Sequence, residues 1–298
     1  MTIRTDSEAR SVAVWPYLIG DIHGCYQEYL SLEGRIQQHA RQHDAEPLFV
    51  SVGDLVDRGP DSAGVVAHFF KGQQLGTHRA ILGNHELMML QVLFHLAPWN
   101  FEQPGCAWPL RLWTLSELHG QGEGMARYLS WEDYLVTMKS LWLGQGGFQT
   151  LHSYGMDPED TRTWNFSPMI LEYLLNLPLY WEQAEVVVTH ALAQPEDLAR
   201  IRRAVEDNPE LDREYLIELK RASHSLLWNR SLPAGRPDPE RQHVSGHTPI
   251  RRIRRWKLLQ CVQIDTGCVY GRRLTAYCLP LNTSISVAAE KNYLAAGV

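Results

Sequence analysis

Five short turns in this sequence carry side chains that could bind metal ions. Asp21 and His23 lie in Gly20-Asp21-Ile22-His23-Gly24, Asp54 in Gly53-Asp54-Leu55-Val56-Asp57-Arg58-Gly59, and Asn84 in Gly83-Asn84-His85-Glu86. His190 lies in Thr189-His190-Ala191 and His247 in Gly246-His247-Thr248-Pro249. Three oxygen and three imidazole ligands without sulfur suit manganese, iron, zinc or similar borderline ions better than copper(I) or an iron–sulfur cluster. Six side chains are too many for one catalytic ion that must keep open positions. If Asp54 bridges, one ion takes Asp21, His23 and Asp54, and a second takes Asp54, Asn84, His190 and His247. Both then keep room for water, and a shared water becomes a hydroxide near neutral pH. This is the two-metal arrangement, with ions about 3.5 to 4 Å apart clamping the attacking and leaving oxygens of a displacement at phosphorus. Taken singly, a His or Asp beside glycine reads more simply as a turn residue; five such turns together resist that reading.

Turns so far apart in sequence need a scaffold that gathers them. Apolar runs precede each one: Val12 to Ile19, Leu48 to Val52, Arg79 to Leu82, Glu185 to Val188 and Gln242 to Ser245. Between the first three lie helical patterns. Cys25 to Gln42 places Tyr26, Tyr29, Leu30 and Ile36 on one side, and Ser62 to Gln73 follows Asp61 or Ser62 as a cap. Asp21, Asp54 and Asn84 are spaced 33 and 30 residues apart, the length of a βαβ unit. The alternation predicts parallel pairing in an α/β fold, whose ligands collect beyond the carboxyl ends of the strands.

Composition narrows the function classes. The 298-residue chain is 44% hydrophobic and 21% charged, with 28 Lys+Arg against 34 Asp+Glu and a formal net charge of −6. A mildly acidic chain lacks the broad cationic surface of a nucleic-acid binder. No stretch reaches the length of a membrane helix, and MTIRTDSEAR has neither region of a signal peptide, so no membrane association and a cytoplasmic location are expected. Cys25, Cys106, Cys261, Cys268 and Cys278 show no CxxC spacing and read as reduced core thiols. The length suits one domain over residues 1–298. Oligomeric state leaves no trace in the sequence.

GDIHG, GDLVDRG, GNHE, the His of THA and SGHTP resemble, in order, the signature blocks of the phosphoprotein phosphatase branch of the calcineurin-like metallophosphoesterases. LLWNR at Leu226 to Arg230 and IDTGCVYGRRLT at Ile264 to Thr275 are similar to the bacterial and lambda phage serine/threonine phosphatases within it. The blocks run from residue 20 to 275. The resemblance implies a two-sheet sandwich flanked by helices, the same six metal ligands, and four further roles. Arg58 and Arg230 would hold phosphoryl oxygens with planar guanidinium donors. His85 would protonate the leaving oxygen, and Asp57 would hold its other nitrogen and favour the imidazolium.

One departure from that pattern is an apparent insertion near residues 95–138, rich in aromatics: Trp99, Phe101, Trp108, Trp113, Tyr128, Trp131 and Tyr134, with a short helix from Leu110 to Leu118. It reads either as a lid over the cleft or as a helical hairpin burying its own aromatics. Arg251 to Lys257 reads as a solvated hairpin, and Gln194 to Lys220 as a solvated helical excursion. His39, His43, His68, His78 and His95 show no partner at ligand spacing.

The expected function is phosphomonoester hydrolysis, with phosphoserine or phosphothreonine in proteins first. Two divalent ions would serve it, manganese ahead of iron or zinc, with His85 as general acid. Symmetrical diadenosine tetraphosphate hydrolysis is the alternative; Asp57 and Glu86, where that branch has GDLVARG and GNHD, favour the phosphatase branch. Phosphotyrosine and small phosphoesters stay open. A scaffold that binds a phosphorylated partner without catalysis is the non-enzyme alternative.

Overall fold

A computed structural model describes residues 12–101, 130–207 and 212–294. Among the described residues, ten strands form two five-stranded sheets. The first contains β1 (Ala13–Ile19), β2 (Ala45–Ser51), β3 (His78–Ala80), β9 (Arg273–Cys278) and β10 (Thr283–Ala288), in the order β10-β9-β1-β2-β3. The second contains β4 (Tyr180–Gln183), β5 (Val186–Thr189), β6 (Gln242–Ser245), β7 (Arg254–Trp256) and β8 (Cys261–Gln263), in the order β4-β5-β6-β8-β7. β1, β2 and β3 are parallel, as are β5, β6 and β8; the flanking strands pair antiparallel. Both sheets are therefore mixed, and the parallel strands of each bring their carboxyl ends to one rim.

Side-chain alternation divides the core into two layers. Leu18, Val50 and Ile81 of the first sheet region pack with Val186, Val188, Val244 and Val262 of the second. Tyr17, Ile19 and Phe49 belong instead to the larger core that the helices complete. A strand whose successive residues face opposite sides must be apolar on both faces when both are covered. Helix α1 (Tyr26–Gln42) supplies Tyr29, Leu32, Ile36 and Ala40 at helical spacing, all fully buried. Helix α2 (Ser62–Gln74) is capped by Asp61, which accepts from Gly64 N at 2.7 Å. Helix α3 (Asn84–Leu96) begins on the third metal-competent turn itself.

The aromatic-rich stretch falls partly outside the description: residues 102–129, with the expected helix from Leu110 to Leu118, Trp108, Trp113 and Tyr128, lie outside the described residues. Within it, α4 (Trp131–Trp142) packs on α3, and Trp131 meets Tyr134 and His95 ring to ring. A π-type turn over Leu143–Gly147 leads into α5 (Phe148–Ser153). Helix α6 (Pro168–Leu175) follows, then α7 (Pro195–Asp207) and α8 (Arg213–Trp228), which form the charged excursion. Arg254–Trp256 is one arm of a hairpin with β8, and its arginines are exposed as expected. β10, near the end of the described residues, is an edge of the first sheet. Among the described residues no helix is long and apolar enough to cross a membrane.

Candidate dimetal site

The parallel strands stop where the chemistry-bearing residues start. Asp21 and His23 follow β1, Asp54 follows β2, Asn84 follows β3, His190 follows β5 and His247 follows β6. The turns are held in unusual backbone conformations. Of the nine described non-glycine residues with positive φ, five are His23 (47°), Asp54 (52°), Asp57 (72°), Arg58 (72°) and His247 (66°). Such conformations cost energy and persist where surrounding contacts enforce them. Glycines make the crowding possible: a Cβ on Gly83 would collide with the Asp54 carboxylate, and one on Gly246 with that of Asp21.

Asp54 belongs to two separate sets of mutually close ligand atoms, one with His23 and His85 and one with His190 and His247, each within 4.8 Å. His23 Nε2 lies 3.4 Å from Asp54 Oδ2, and His190 Nε2 lies 3.4 Å from Asp54 Oδ1. Asn84 Oδ1 lies 2.9 Å from both His190 Nε2 and His247 Nδ1, and those two nitrogens are 3.2 Å apart. The far nitrogens of two rings are fixed by backbone carbonyls: His23 Nδ1 by Val56 O at 3.0 Å and His190 Nδ1 by Val52 O at 2.8 Å. This pattern orients metal-binding imidazoles. Asp21 sits outside the first set, where His85 takes the place expected for it; both Asp21 oxygens accept from His247 N at 3.1 Å.

His85 Nδ1 and Asp57 Oδ2 are 2.7 Å apart, both side chains buried. Trp142 Nε1 donates to Asp57 at 3.2 Å and Thr150 Oγ1 at 2.6 Å, so the carboxylate is fixed from three directions. Burial alone would depress the His85 imidazolium, but Asp54 and Asp57 outweigh it and lift its pKa above the ordinary value. Arg58 Nη1 donates to His23 Nε2 at 2.9 Å and Nη2 to Gln145 Oε1 at 3.3 Å. Arg230 Nε reaches His247 Nε2 at 3.4 Å. The ten residues expected from the sequence thus meet around one buried cluster.

Its electrostatics suit cations. Burial, then Arg58, keeps the His23 imidazole neutral; burial does the same for His190, and burial with His190 pushes His247 to about 3. Neutral imidazoles are the metal-binding form. Burial, then the charges of Asp265 and Asp54, drives the Asp21 carboxyl well up. Buried carboxylates that repel one another need a positive partner, and two divalent ions of the borderline class fit this donor set.

Two residues have a place at the site that the sequence reading does not give them. Asp265, buried in the turn after β8, is itself pushed up by burial and by Asp54, so it adds to the negative potential. Its signal is another acidic residue at a strand end, Ile264-Asp265-Thr266-Gly267. Glu86 holds the second turn: it accepts from Asp54 N (3.0 Å), Leu55 N (2.7 Å), Val56 N (3.1 Å) and Gly83 N (2.9 Å). Two further clusters are assembled across elements: Glu33, His68 and His78, and the buried Cys25, Glu28 and Cys268. His68 and His78 therefore do have partners, which linear spacing conceals.

Residues 17–260 match the calcineurin-like phosphoesterase family. An asymmetrical bis(5'-nucleosyl)-tetraphosphatase, PrpE of Bacillus velezensis, is 26% identical over 291 residues, spanning 93% of this chain and 93% of its own. A symmetrical bis(5'-nucleosyl)-tetraphosphatase of Salmonella paratyphi A is 44% identical over 77 residues, 26% of this chain and 25% of its own. A solved protein serine/threonine phosphatase from Saccharomyces cerevisiae, with similarity to human phosphatase PP5, aligns over 95% of this chain and 81% of its own with a TM-score of 0.49 and 13% identity. These relatives matched along nearly the whole chain bear asymmetrical tetraphosphatase names and do not show the finer kinship expected with the lambda phage enzymes. Short catalytic blocks are shared across branches and do not separate them.

Proposed function

The chain belongs to the calcineurin-like phosphoesterase family, as a metallophosphatase hydrolase, and from that premise we propose that its substrate is a dinucleoside polyphosphate such as diadenosine tetraphosphate. Similarity to a tetraphosphatase along 93% of both chains supports this choice. The observation that carries the chemistry is Asp54, shared by two sets of ligand atoms. The non-enzyme scaffold reading is set aside.

Asp21, His23, Asp54, Asn84, His190 and His247 would hold two divalent ions, manganese first, with iron or zinc as alternatives. When bound, such ions polarise phosphoryl oxygens and lower the pKa of an attacking water. Arg58 and Arg230, both reaching toward ligand histidines, would bind the phosphoryl oxygens and orient the ester. His85, held by Asp57 and favoured as the imidazolium, would give a proton to the leaving oxygen. Asp57, fixed by donors from Trp142 and Thr150, would keep the imidazole in its orientation. A cytoplasmic setting suits the four described cysteines, all free and buried.

Phosphoserine or phosphothreonine is the second reading, and the His85–Asp57 pair favours it: an alkoxide leaving group needs protonation more than a polyphosphate does. Manganese-loaded protein assayed on diadenosine tetraphosphate and on a phosphoserine peptide separates the two. The expected outcome is a higher kcat/KM on the dinucleotide; a higher value on the peptide makes the second reading the correct one.

A further inference from the structure

Beside Arg58 the surface opens into a pocket of about 220 Å³. Its wall is built by the turn between α4 and α5. Gly146, at φ 115°, directs its carbonyl to Arg58 N at 3.3 Å, and a Cβ there would collide with the Arg58 backbone. The chain can hug the phosphate-binding arginine only with glycine at this point. Turns of the π type recur at functional sites. The next two residues, Phe148 and Gln149, line the pocket together with Tyr270 from the turn before β9.

Three features of the lining point to a planar, hydrogen-bonding ligand. Phe148 is 41% exposed; one side of its ring packs on His152, 4.3 Å between centroids, and the rest is open at the recess. Tyr270 lies against Arg58, whose guanidinium carbon is 5.8 Å from the ring centroid. Gln149 lines the recess, and its buried Oε1 has no hydrogen-bond partner among the described residues, a condition that costs stability until a donor is found. Arg58 connects this recess to the metal-ligand cluster, because the same guanidinium bonds His23 on one side and Gln145 on the other. The volume is below the roughly 300–1,000 Å³ of sites that enclose a whole drug-sized ligand, so it accommodates one ring system with the rest of the molecule outside.

We propose that the recess formed by Phe148, Gln149 and Tyr270 is a nucleobase subsite, which takes the base of the nucleotide whose phosphate Arg58 holds. This rests on the dinucleoside polyphosphate reading. Phe148 and Tyr270 offer π-faces on which any base can stack. A rotation of the Gln149 side chain would turn its unpartnered Oε1 to the recess, so bases with an exocyclic amine, such as adenine, are preferred over those that present only a keto oxygen there, such as hypoxanthine.

The test measures competitive inhibition of p-nitrophenyl phosphate hydrolysis by AMP, IMP and ribose 5-phosphate, together with turnover of diadenosine tetraphosphate. AMP is expected to inhibit more strongly than IMP, and ribose 5-phosphate least. Gln149→Ala should erase the difference between AMP and IMP. Phe148→Ala, a change at a partly exposed side chain, should lower kcat/KM on the dinucleotide about tenfold relative to that on p-nitrophenyl phosphate, as expected for one lost stack; Phe148→Tyr should restore it. If wild-type protein hydrolyses the dinucleotide but Phe148→Ala and Gln149→Ala leave these ratios unchanged, the subsite is refuted and the substrate reading stands. If the wild type prefers the phosphopeptide and binds AMP no better than ribose 5-phosphate, both fail.

Discussion

Two clusters in this protein are made from the same kinds of side chain and differ in what surrounds them. Glu33, His68 and His78, from α1, α2 and the start of β3, lie as close together as the sets around Asp54. Their ring nitrogens, however, are matched to neutral hydroxyls: His68 Nδ1 to Tyr26 at 3.1 Å, His78 Nε2 to Tyr29 at 2.7 Å and His78 Nδ1 to Thr77 at 2.8 Å. The Glu33 carboxylate is met by His68 Nε2 at 3.2 Å. Around Asp54, backbone carbonyls take the far nitrogens of His23 and His190, and the near ones face the Arg58 guanidinium, another imidazole, an amide oxygen or a carboxylate. Ligand-type residues close together make a hydrogen-bonded core when hydroxyls complete them. Around Asp54 they converge on one shared carboxylate and on one another, the arrangement expected of a metal site.

Substitutions should widen that contrast or erase it. The largest effect is expected from Asp54→Asn, which removes the charge common to both ligand sets and should abolish turnover of every phosphoester; His68→Ala should retain it. His85→Asn is expected to slow hydrolysis of an alkyl phosphate by about 10²- to 10⁴-fold, with a much smaller loss on p-nitrophenyl phosphate, whose leaving group needs little protonation. Equal losses on both substrates would remove His85 from the acid role and fit instead its place among the ligand atoms of the first set. Trp142→Phe keeps most of the buried volume and deletes one donor to Asp57; a loss of about tenfold in kcat is expected on the alkyl ester, as for other supporting contacts.

The last expectation belongs to the hydroxyl-matched cluster and concerns stability rather than turnover. Burial chiefly holds His78 at a pKa of about 4, with His68 and Arg79 acting the same way and Glu33 opposing. The unfolded chain, with an ordinary histidine pKa near 6.5, binds the proton first. Stability from this group is therefore complete above pH 6.5 and declines as the pH falls toward 4, by about 2 kcal/mol at pH 5. Denaturant titrations at pH 7 and pH 5 should show at least that decline, because the buried site histidines add to it, and it should be smaller in His78→Gln.

The strand-end turns were legible because each is a local pattern, an apolar run broken by glycine and a polar ligand, and the structure brings all five to one rim. The parallel starts of the first sheet followed from the same regularity. What stayed hidden depends on contacts across elements. Glu33, His68 and His78 share no linear spacing, and β10, Thr-Ser-Ile-Ser-Val-Ala, alternates too weakly to announce an edge strand. Glu86 is the most instructive. Its identity favoured the phosphatase branch in the sequence, yet its carboxylate spends both oxygens on four backbone N–H groups of the Gly83 and Asp54 turns. A residue that braces a loop says little about which ester enters the cleft. Asp265 shows the converse: a strand-end acid near Asp54 and Asp21 that pattern reading left without a role.

Elemental analysis of manganese-loaded, desalted protein, in parallel for wild type, Asp54→Asn and His68→Ala, tests the central claim most directly. The account expects two ions per chain in wild type and in His68→Ala, and fewer than one in Asp54→Asn. One ion or none in the wild type, or an unchanged content in Asp54→Asn, would contradict it.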